Sequence, residues 1–441
     1  MSRRRATTSS MISVAIPRGL FRSAMGPSWP SGAGHAGAGA TGQTAAVSTD
    51  LQTIHAALSR LLERRHPDSL STVLGAGSDD LAAGCRYLER LVEGGWMVPT
   101  WPARFGGRDA DADEAARIDA ALGDYETADL YPYGVGLNLV GPVLLDQGSV
   151  DQQDRWLRAI ADGSEIWCQM FSEPDAGSDL ANAGMRAERD GDEWVLNGSK
   201  VWTSRGAYAH WGMCLARTDV SVAKHRGLTM FAVDMRDPGV EVRPLEQING
   251  DRHFTEVFVT DVRVPDTDRI GDLGAGWGIT VETLAHERVT IGGRAFGGGD
   301  SEDVGLPSWL EEWRASGWLG DPVARQAAMR AFVLYRVNQM TVARVAASAD
   351  GSAPGPEGSA AKLRSVAAFK ERAYLGKALA GAAGMLSETA GHLEFLTAPS
   401  MSIRGGTDEV QRNIVGERML GLLGEPRVDK DVPFSDLRKS R

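Results

Sequence analysis

Glu287 is the residue whose setting points most directly to chemistry. Thr280, Leu284, Glu287 and Ile291 stand three and four positions apart, so a helix puts all four on one face. A carboxylate on such an otherwise apolar face is desolvated; its pKa rises, and it becomes a better base toward an activated C–H. The plainer reading makes Glu287 one half of an exposed pair with Arg288. Three other segments stand out. Residues 167–181, WCQMFSEPDAGSDLA, read as a strand that ends in a polar, Gly-containing loop carrying Phe171, Ser172 and Ser178. Residues 192–204, DEWVLNGSKVWTS, read as a strand ending on Trp202 and Ser204. Residues 405–421, GGTDEVQRNIVGERMLG, read as a helix with Thr407 as N-cap and Glu409 in its acidic first turn. Cys85, Cys168 and Cys214 have neither CxxC nor Cys/His ligand spacing, which argues against a zinc site or a disulfide framework and fits a reducing compartment. No GxGxxG follows a strand, so a nicotinamide site is not indicated.

These segments lie on elements that the hydrophobic periods outline. Leu51, Ile54, Leu58 and Leu61 form one helical stripe, and Leu81, Cys85, Leu88 and Val92 a second. Ser149 and Gln152 stand at capping-box spacing before another amphipathic run. Near Ile166 the period changes to two, and seven short strands follow: IWCQMF, GMRAER, DEWVLNG, GMCLAR, LTMFAVDM, VEVRPL and EVFVTDVRV. Asp190-Gly191 and Asn197-Gly198 are expected as turns between paired strands, in a small barrel or sandwich. Beyond Trp277 helices return, one of them capped by Asp321 with Pro322 first and Met329, Val333, Val337 and Met340 on one face. The expected domains are a disordered tail over 1–50, helices over 51–165, strands over 166–274 and helices over 275–441.

Composition limits the alternatives. The 441 residues are enough for several cooperating layers, and 24% charged with 42% apolar residues is ordinary for a globular protein. No run of eighteen apolar residues suggests a membrane span. The net charge is −11 although the first 49 residues hold five arginines and no acid, so the body is more acidic still and nucleic acid is not an expected partner. That Arg-rich start resembles a transit peptide or is a plain tail; the body is expected in the cytoplasm.

Taken in order, the 167–181, 192–204 and 405–421 segments, with KHRGLTMFAVDM (224–235) and FTEVFVTDVRVP (254–265), resemble the acyl-CoA dehydrogenase family from about residue 81 to the C-terminus. GWMVPTWPARFGG (95–107) and GEPRVDKDVPF (424–434) look like a bacterial branch of it. The resemblance implies an α+β multidomain chain: an N-terminal helical domain, a middle β-barrel and a C-terminal domain like a four-helix bundle. It implies FAD as cofactor and α,β-dehydrogenation of an acyl-CoA to the trans-2-enoyl-CoA, with hydride passing to flavin N5. Phe171 and Ser172 then match the pyrimidine end of the flavin, Trp202 the aromatic beside the ring, and Ser204 the hydroxyl on N5, where Thr is usual. Ser178 matches a residue near the pantetheine arm, Arg288 one near bound CoA, and Thr407 and Glu409 contacts to the adenosine of FAD across a subunit interface. An R-x-x-F-G segment for the FAD diphosphate is not clearly present; RAFGG (294–298) looks similar but lies close behind the preceding helix.

Most members place the base immediately before the Gly-Thr of the last motif, which here is Gly405. A smaller group carries a Glu on the first long helix after the barrel, and in AHERV that residue is Glu287. The family implies an electron-transferring flavoprotein as acceptor and a homo-oligomer, or a hetero-oligomer with a homologous chain. Two neighbouring readings are an FAD-supporting, non-catalytic subunit and an acyl-CoA oxidase that uses oxygen.

Overall fold

The computed structural model describes residues 50–66, 80–292, 306–347, 355–387 and 391–437, without the side chains at 288–292 and 346–347. The expected tail, apart from Asp50, and the RAFGG segment lie outside these residues, as does the Arg288 side chain.

Among the described residues, five α-helices precede the sheet: α1 (Leu51–Leu58), α2 (Leu81–Val92), α3 (Ala112–Leu122), α4 (Gly141–Gln147) and α5 (Val150–Ala161). Asp50, Asp80 and Asp111 cap the first three by accepting backbone N–H bonds, and Ser149 with Gln152 forms the full capping box expected at α5. The buried faces follow the stripes: Ile54 and Leu58 in α1, Leu88 and Val92 in α2. Helix α5 joins the sheet through aromatic contacts, with Trp156 edge-on to Trp167 at 5.3 Å and Trp167 stacked on Trp211 at 5.9 Å.

The sheet has eight strands: β1 (Trp167–Met170), β2 (Arg186–Asp190), β3 (Glu193–Ser204), β4 (Trp211–Arg217), β5 (Leu228–Asp234), β6 (Val240–Leu245), β7 (Phe254–Pro265) and β8 (Arg269–Ile270). Its order is β6-β7-β3-β2-β4-β5-β8, with β1 parallel to β4. One residue pair, Arg186 with Arg217, joins β2 to β4, so the two halves of the sheet meet at a narrow seam. The sheet curls until Trp194 of β3 reaches Phe231 of β5, 5.6 Å between ring centres. Its ladder does not close: β6 and β8 are the ends of the order, so by its hydrogen bonds the expected barrel is an open, curled sheet. Asp190-Gly191 is the expected turn between β2 and β3. Asn197-Gly198 is not a turn. It sits inside β3 at a bulge, where the Asn197 side chain and Asp261 exchange two 2.9 Å hydrogen bonds and a Cβ on Gly198 would stand 2.8 Å from Met185.

After β8 come α6 (Gly276–Gly292), α7 (Ser308–Ala315), α8 (Pro322–Ala347), α9 (Glu357–Leu379), α10 (His392–Met401) and α11 (Asp408–Ile414). Asp321 caps α8 as expected, accepting from Ala324 N at 2.8 Å. Helix α6 packs against β5 and α9, and α9 packs against α8, α10 and α11. The helix of Glu287 and the helix opened by Thr407 are therefore both neighbours of α9.

Candidate active site

Strand β3 ends irregularly. The register against β7 slips between Lys200 and Thr203, and Trp202 and Arg205 take left-handed backbone conformations (φ 61° and 56°) that bulky residues rarely adopt. The segment is held there by Arg205 N donating to His253 O at 2.7 Å and by Thr255 Oγ1 donating to Thr203 O at 3.0 Å. The conformation turns the Trp202 indole out of the sheet: it is 58% exposed and meets the Phe254 ring edge-on at 5.8 Å. Trp202 is therefore not part of the buried core.

Lys200, two residues earlier, is fully buried. Its ammonium donates to Phe171 O at 3.0 Å, Leu215 O at 2.6 Å and the Glu173 carboxylate at 2.8 Å. Glu173 in turn accepts from Gly184 N and Met185 N. Because Val201 N also donates to Ser172 O at 2.9 Å, Phe171 and Ser172 are fixed beside the end of β3. The two cofactor segments expected from sequence are thus tied together by a buried cation that sequence reasoning passed over. Ser178 lies further along the same loop, exposed, next to Asp179, which pairs with Lys224 at 3.0 Å.

The RGGT loop reaches the same corner. Arg404 hydrogen-bonds Ser400 Oγ at 2.7 Å, and its guanidinium lies 5.8 Å from the centre of the Phe254 ring, so Phe254 touches both Trp202 and Arg404. Burial lowers the Arg404 pKa, against the pull of Tyr131 and Asp251 nearby. Gly405 and Gly406 have φ of 66° and 85°, and a Cβ on Gly406 would come within 2.6 Å of Gln411 Nε2, so the turn needs glycine there. Gln411 Nε2 donates to Gly405 O at 2.8 Å, and the buried Lys362 of α9 donates to Gly406 O. Thr407 caps α11, accepting from Val410 N at 3.2 Å, while Glu409 is exposed and pairs with Arg412 at 3.4 Å. Within this chain both make the cap and first-turn interactions of the plainer reading.

Helix α6 buries Ile279, Thr280 and Thr283, whose hydroxyls bond back to Gly276 O and Ile279 O at 2.7 Å. Leu284 packs partly buried against the core, and Glu287 is half-buried on the expected face. Glu282 and His286 precede it on the helix; burial raises the first pKa and lowers the second, so both favour their neutral forms. Arg288 is on the same helix.

The donor set at the end of β3 fits a flavin. A planar ring with acceptors along one edge needs an aromatic wall, hydroxyl and backbone donors at that edge, and space. Trp202 with Phe254 would supply the wall, and Ser204 with the Phe171–Ser172 segment the donors. Trp202→Gly separates this role from a structural one. Glycine relieves a left-handed conformation worth about 1–3 kcal/mol, and little buried area is lost. The midpoint of denaturation should hold or rise while flavin affinity falls; a large loss of stability would make Trp202 a packing residue.

The chain matches three family models: the acyl-CoA dehydrogenase N-terminal domain over 79–164, the middle domain over 168–262 and the C-terminal domain over 274–420. Acyl-CoA dehydrogenase IpdE1 of Mycobacterium tuberculosis is 35% identical over 348 residues, which are 77% of this chain and 88% of that protein. Acyl-CoA dehydrogenase FadE34 of the same organism is 38% identical over 341 residues; the match takes in 75% of this chain and spans 45% of the length of FadE34. Among solved structures, the ChsE4-ChsE5 complex from Mycobacterium tuberculosis has a TM-score of 0.67 at 26% identity, covering 86% of this chain and 97% of that one. The chain belongs to the acyl-CoA dehydrogenase family.

Proposed function

We propose that the chain carries out FAD-dependent α,β-dehydrogenation of an acyl-CoA thioester to the trans-2-enoyl-CoA, with Glu287 as the base. The observation that carries this reading is the strained, exposed Trp202 beside Ser204, locked to the Phe171–Ser172 segment by Lys200. Bound FAD supplies the two-electron acceptor such an oxidation requires. Phe171, Ser172 and Ser204 offer hydrogen bonds along one ring edge, and Trp202 and Phe254 keep water from one side. Glu287 takes the α-proton of the thioester at a carboxylate oxygen. Ser178 and Arg288 are assigned to the CoA portion, and Thr407 and Glu409 to the adenosine of FAD on a neighbouring subunit. A separate electron-transferring flavoprotein then removes the electrons, in the cytoplasm.

An apolar stripe on α8 supports assembly: Met329, Val333, Val337 and Met340, one face of that helix, are all exposed, Met340 by 64%. Sedimentation should give a dimer or larger species, and a monomer that retains FAD contradicts this. Gly405, where most members carry the base, and the likeness to a two-component complex favour one second reading, an FAD-supporting subunit whose catalytic partner is a homologous chain. Anaerobic addition of acyl-CoA thioesters to the chain purified alone decides between them. Bleaching of bound FAD supports catalysis by this chain, stable FAD that no thioester bleaches supports the second reading, and FMN or no flavin after reconstitution sinks both.

A further inference from the structure

Beyond α11, residues 429–436 run beside the loop that joins β4 to β5. Ala223 and Pro433 form an antiparallel bridge, Phe434 N donates to Val222 O at 2.8 Å, and Ser435 N donates to Val220 O at 2.9 Å. Two side chains carry the contact inward. Phe434 is buried with the Arg217 guanidinium 3.8 Å from its ring centre, and Asp429 accepts from Lys224 Nζ at 2.6 Å. Arg217 Nη1 in turn donates to Lys224 O at 2.6 Å, so the two basic residues are joined to each other.

Both basic residues hold the loop that carries Ser178. Lys200 and Glu173 fasten its start, and Arg217 fastens its end by donating to Ala181 O at 2.7 Å and to Ala183 O at 2.8 and 3.0 Å. Between these anchors Gly177, Ser178 and Asp179 are exposed, and Lys224 reaches this stretch through both oxygens of Asp179, at 3.0 and 3.1 Å. Each cation depends on residues 429–436. Carbonyls satisfy the Arg217 N–H groups without balancing its charge, which the negative face of the Phe434 ring partly offsets. The Lys224 side chain is 10% exposed, so its ammonium needs a carboxylate beside it; Asp429 is closer than Asp179 and less open to water, 37% against 59% exposed. Without Asp429 the flexible lysine stem would turn outward and release Asp179.

We propose that residues 429–436 form a strap that positions the Ser178 loop for the CoA portion of the substrate, Phe434 acting through Arg217 and Asp429 through Lys224; this rests on the assignment of Ser178 to that portion. Asp429 and Phe434 are positioning residues, so the test has a readout apart from turnover: hydrogen exchange of the 177–183 amides in the full-length, FAD-loaded protein. Asp429→Asn keeps the side-chain shape at a partly exposed position and removes only the charge. Exchange over 177–183 should quicken severalfold while the flavin content and the unfolding midpoint stay near wild type. KM for acyl-CoA should rise by roughly fivefold, the loss of one net hydrogen bond, with kcat little changed. Lys224→Gln should do the same, and adding Asp429→Asn to it should cost nothing more, because both act through one ammonium. Phe434→Leu, which keeps an apolar side chain and removes the ring face, should loosen the same amides from the Arg217 side. Wild-type exchange and KM in Asp429→Asn, or effects of the Asp429 and Lys224 substitutions that multiply, would overturn the strap while leaving the acyl-CoA reading intact. A wild-type, FAD-loaded chain that binds no acyl-CoA overturns both.

Discussion

Glu287→Gln should leave the fold, the FAD content and acyl-CoA affinity nearly intact and slow flavin reduction by roughly 10²- to 10⁴-fold. The amide matches the carboxylate in shape and loses only the proton acceptor. The residue is half-buried on the face of α6 that also carries Leu284 and the buried Thr280. Adding Gly405→Glu should restore part of the rate if a carboxylate before Gly406 reaches the same α-carbon. That addition has a known cost. Gly405 is left-handed at φ 66°, so a side chain there strains the turn by about 1–3 kcal/mol and rescue should be incomplete. Near wild-type reduction by Glu287→Gln alone would return Glu287 to its plainer role as a partner of Arg288.

Lys200→Met should be the most damaging single change to stability. The substitution leaves Phe171 O and Leu215 O without their donor and a largely buried Glu173 without its cation. Removing one partner of a buried pair typically costs about 3–5 kcal/mol, a large share of the roughly 5–15 kcal/mol that holds a domain folded. Flavin should be lost with it, because the same ammonium fixes the Phe171 carbonyl. Adding Glu173→Gln removes the stranded charge and should recover part of the loss, although Glu173 also receives Gly184 N and Met185 N. Denaturant midpoints of the two variants test this. A change below about 1 kcal/mol for Lys200→Met would mean that the cation does not organise the loop.

Local signals were legible in the sequence. The caps at Asp321 and Ser149 and the Asp190-Gly191 turn depend on residues within a few positions of each other, and the strand runs announced themselves by alternation. Asn197-Gly198 misled because the same dipeptide suits a tight turn and a bulge, and the close approach of Met185 that decides between them comes from a distant segment, just before β2. Closure of the sheet likewise depends on which strands end the ladder, a long-range property no window of residues carries. Lys200 could have been found. The inward parity of Trp194 and Leu196 runs on to it, and a lysine on the buried side of a strand requires partners. Exposure of Trp202 was invisible, because it arises from a register slip and a left-handed residue rather than from composition.

Anaerobic titration of the purified, FAD-loaded chain with a panel of acyl-CoA thioesters tests the central claim most directly. At least one thioester should bleach the flavin band to completion and yield the trans-2-enoyl-CoA in equal amount, and the bleached protein should pass its electrons rapidly to an electron-transferring flavoprotein or a ferrocenium dye and slowly to oxygen. A panel that leaves the band unchanged, or rapid stoichiometric peroxide formation on admitting air, would contradict the assignment of this chain as an acyl-CoA dehydrogenase.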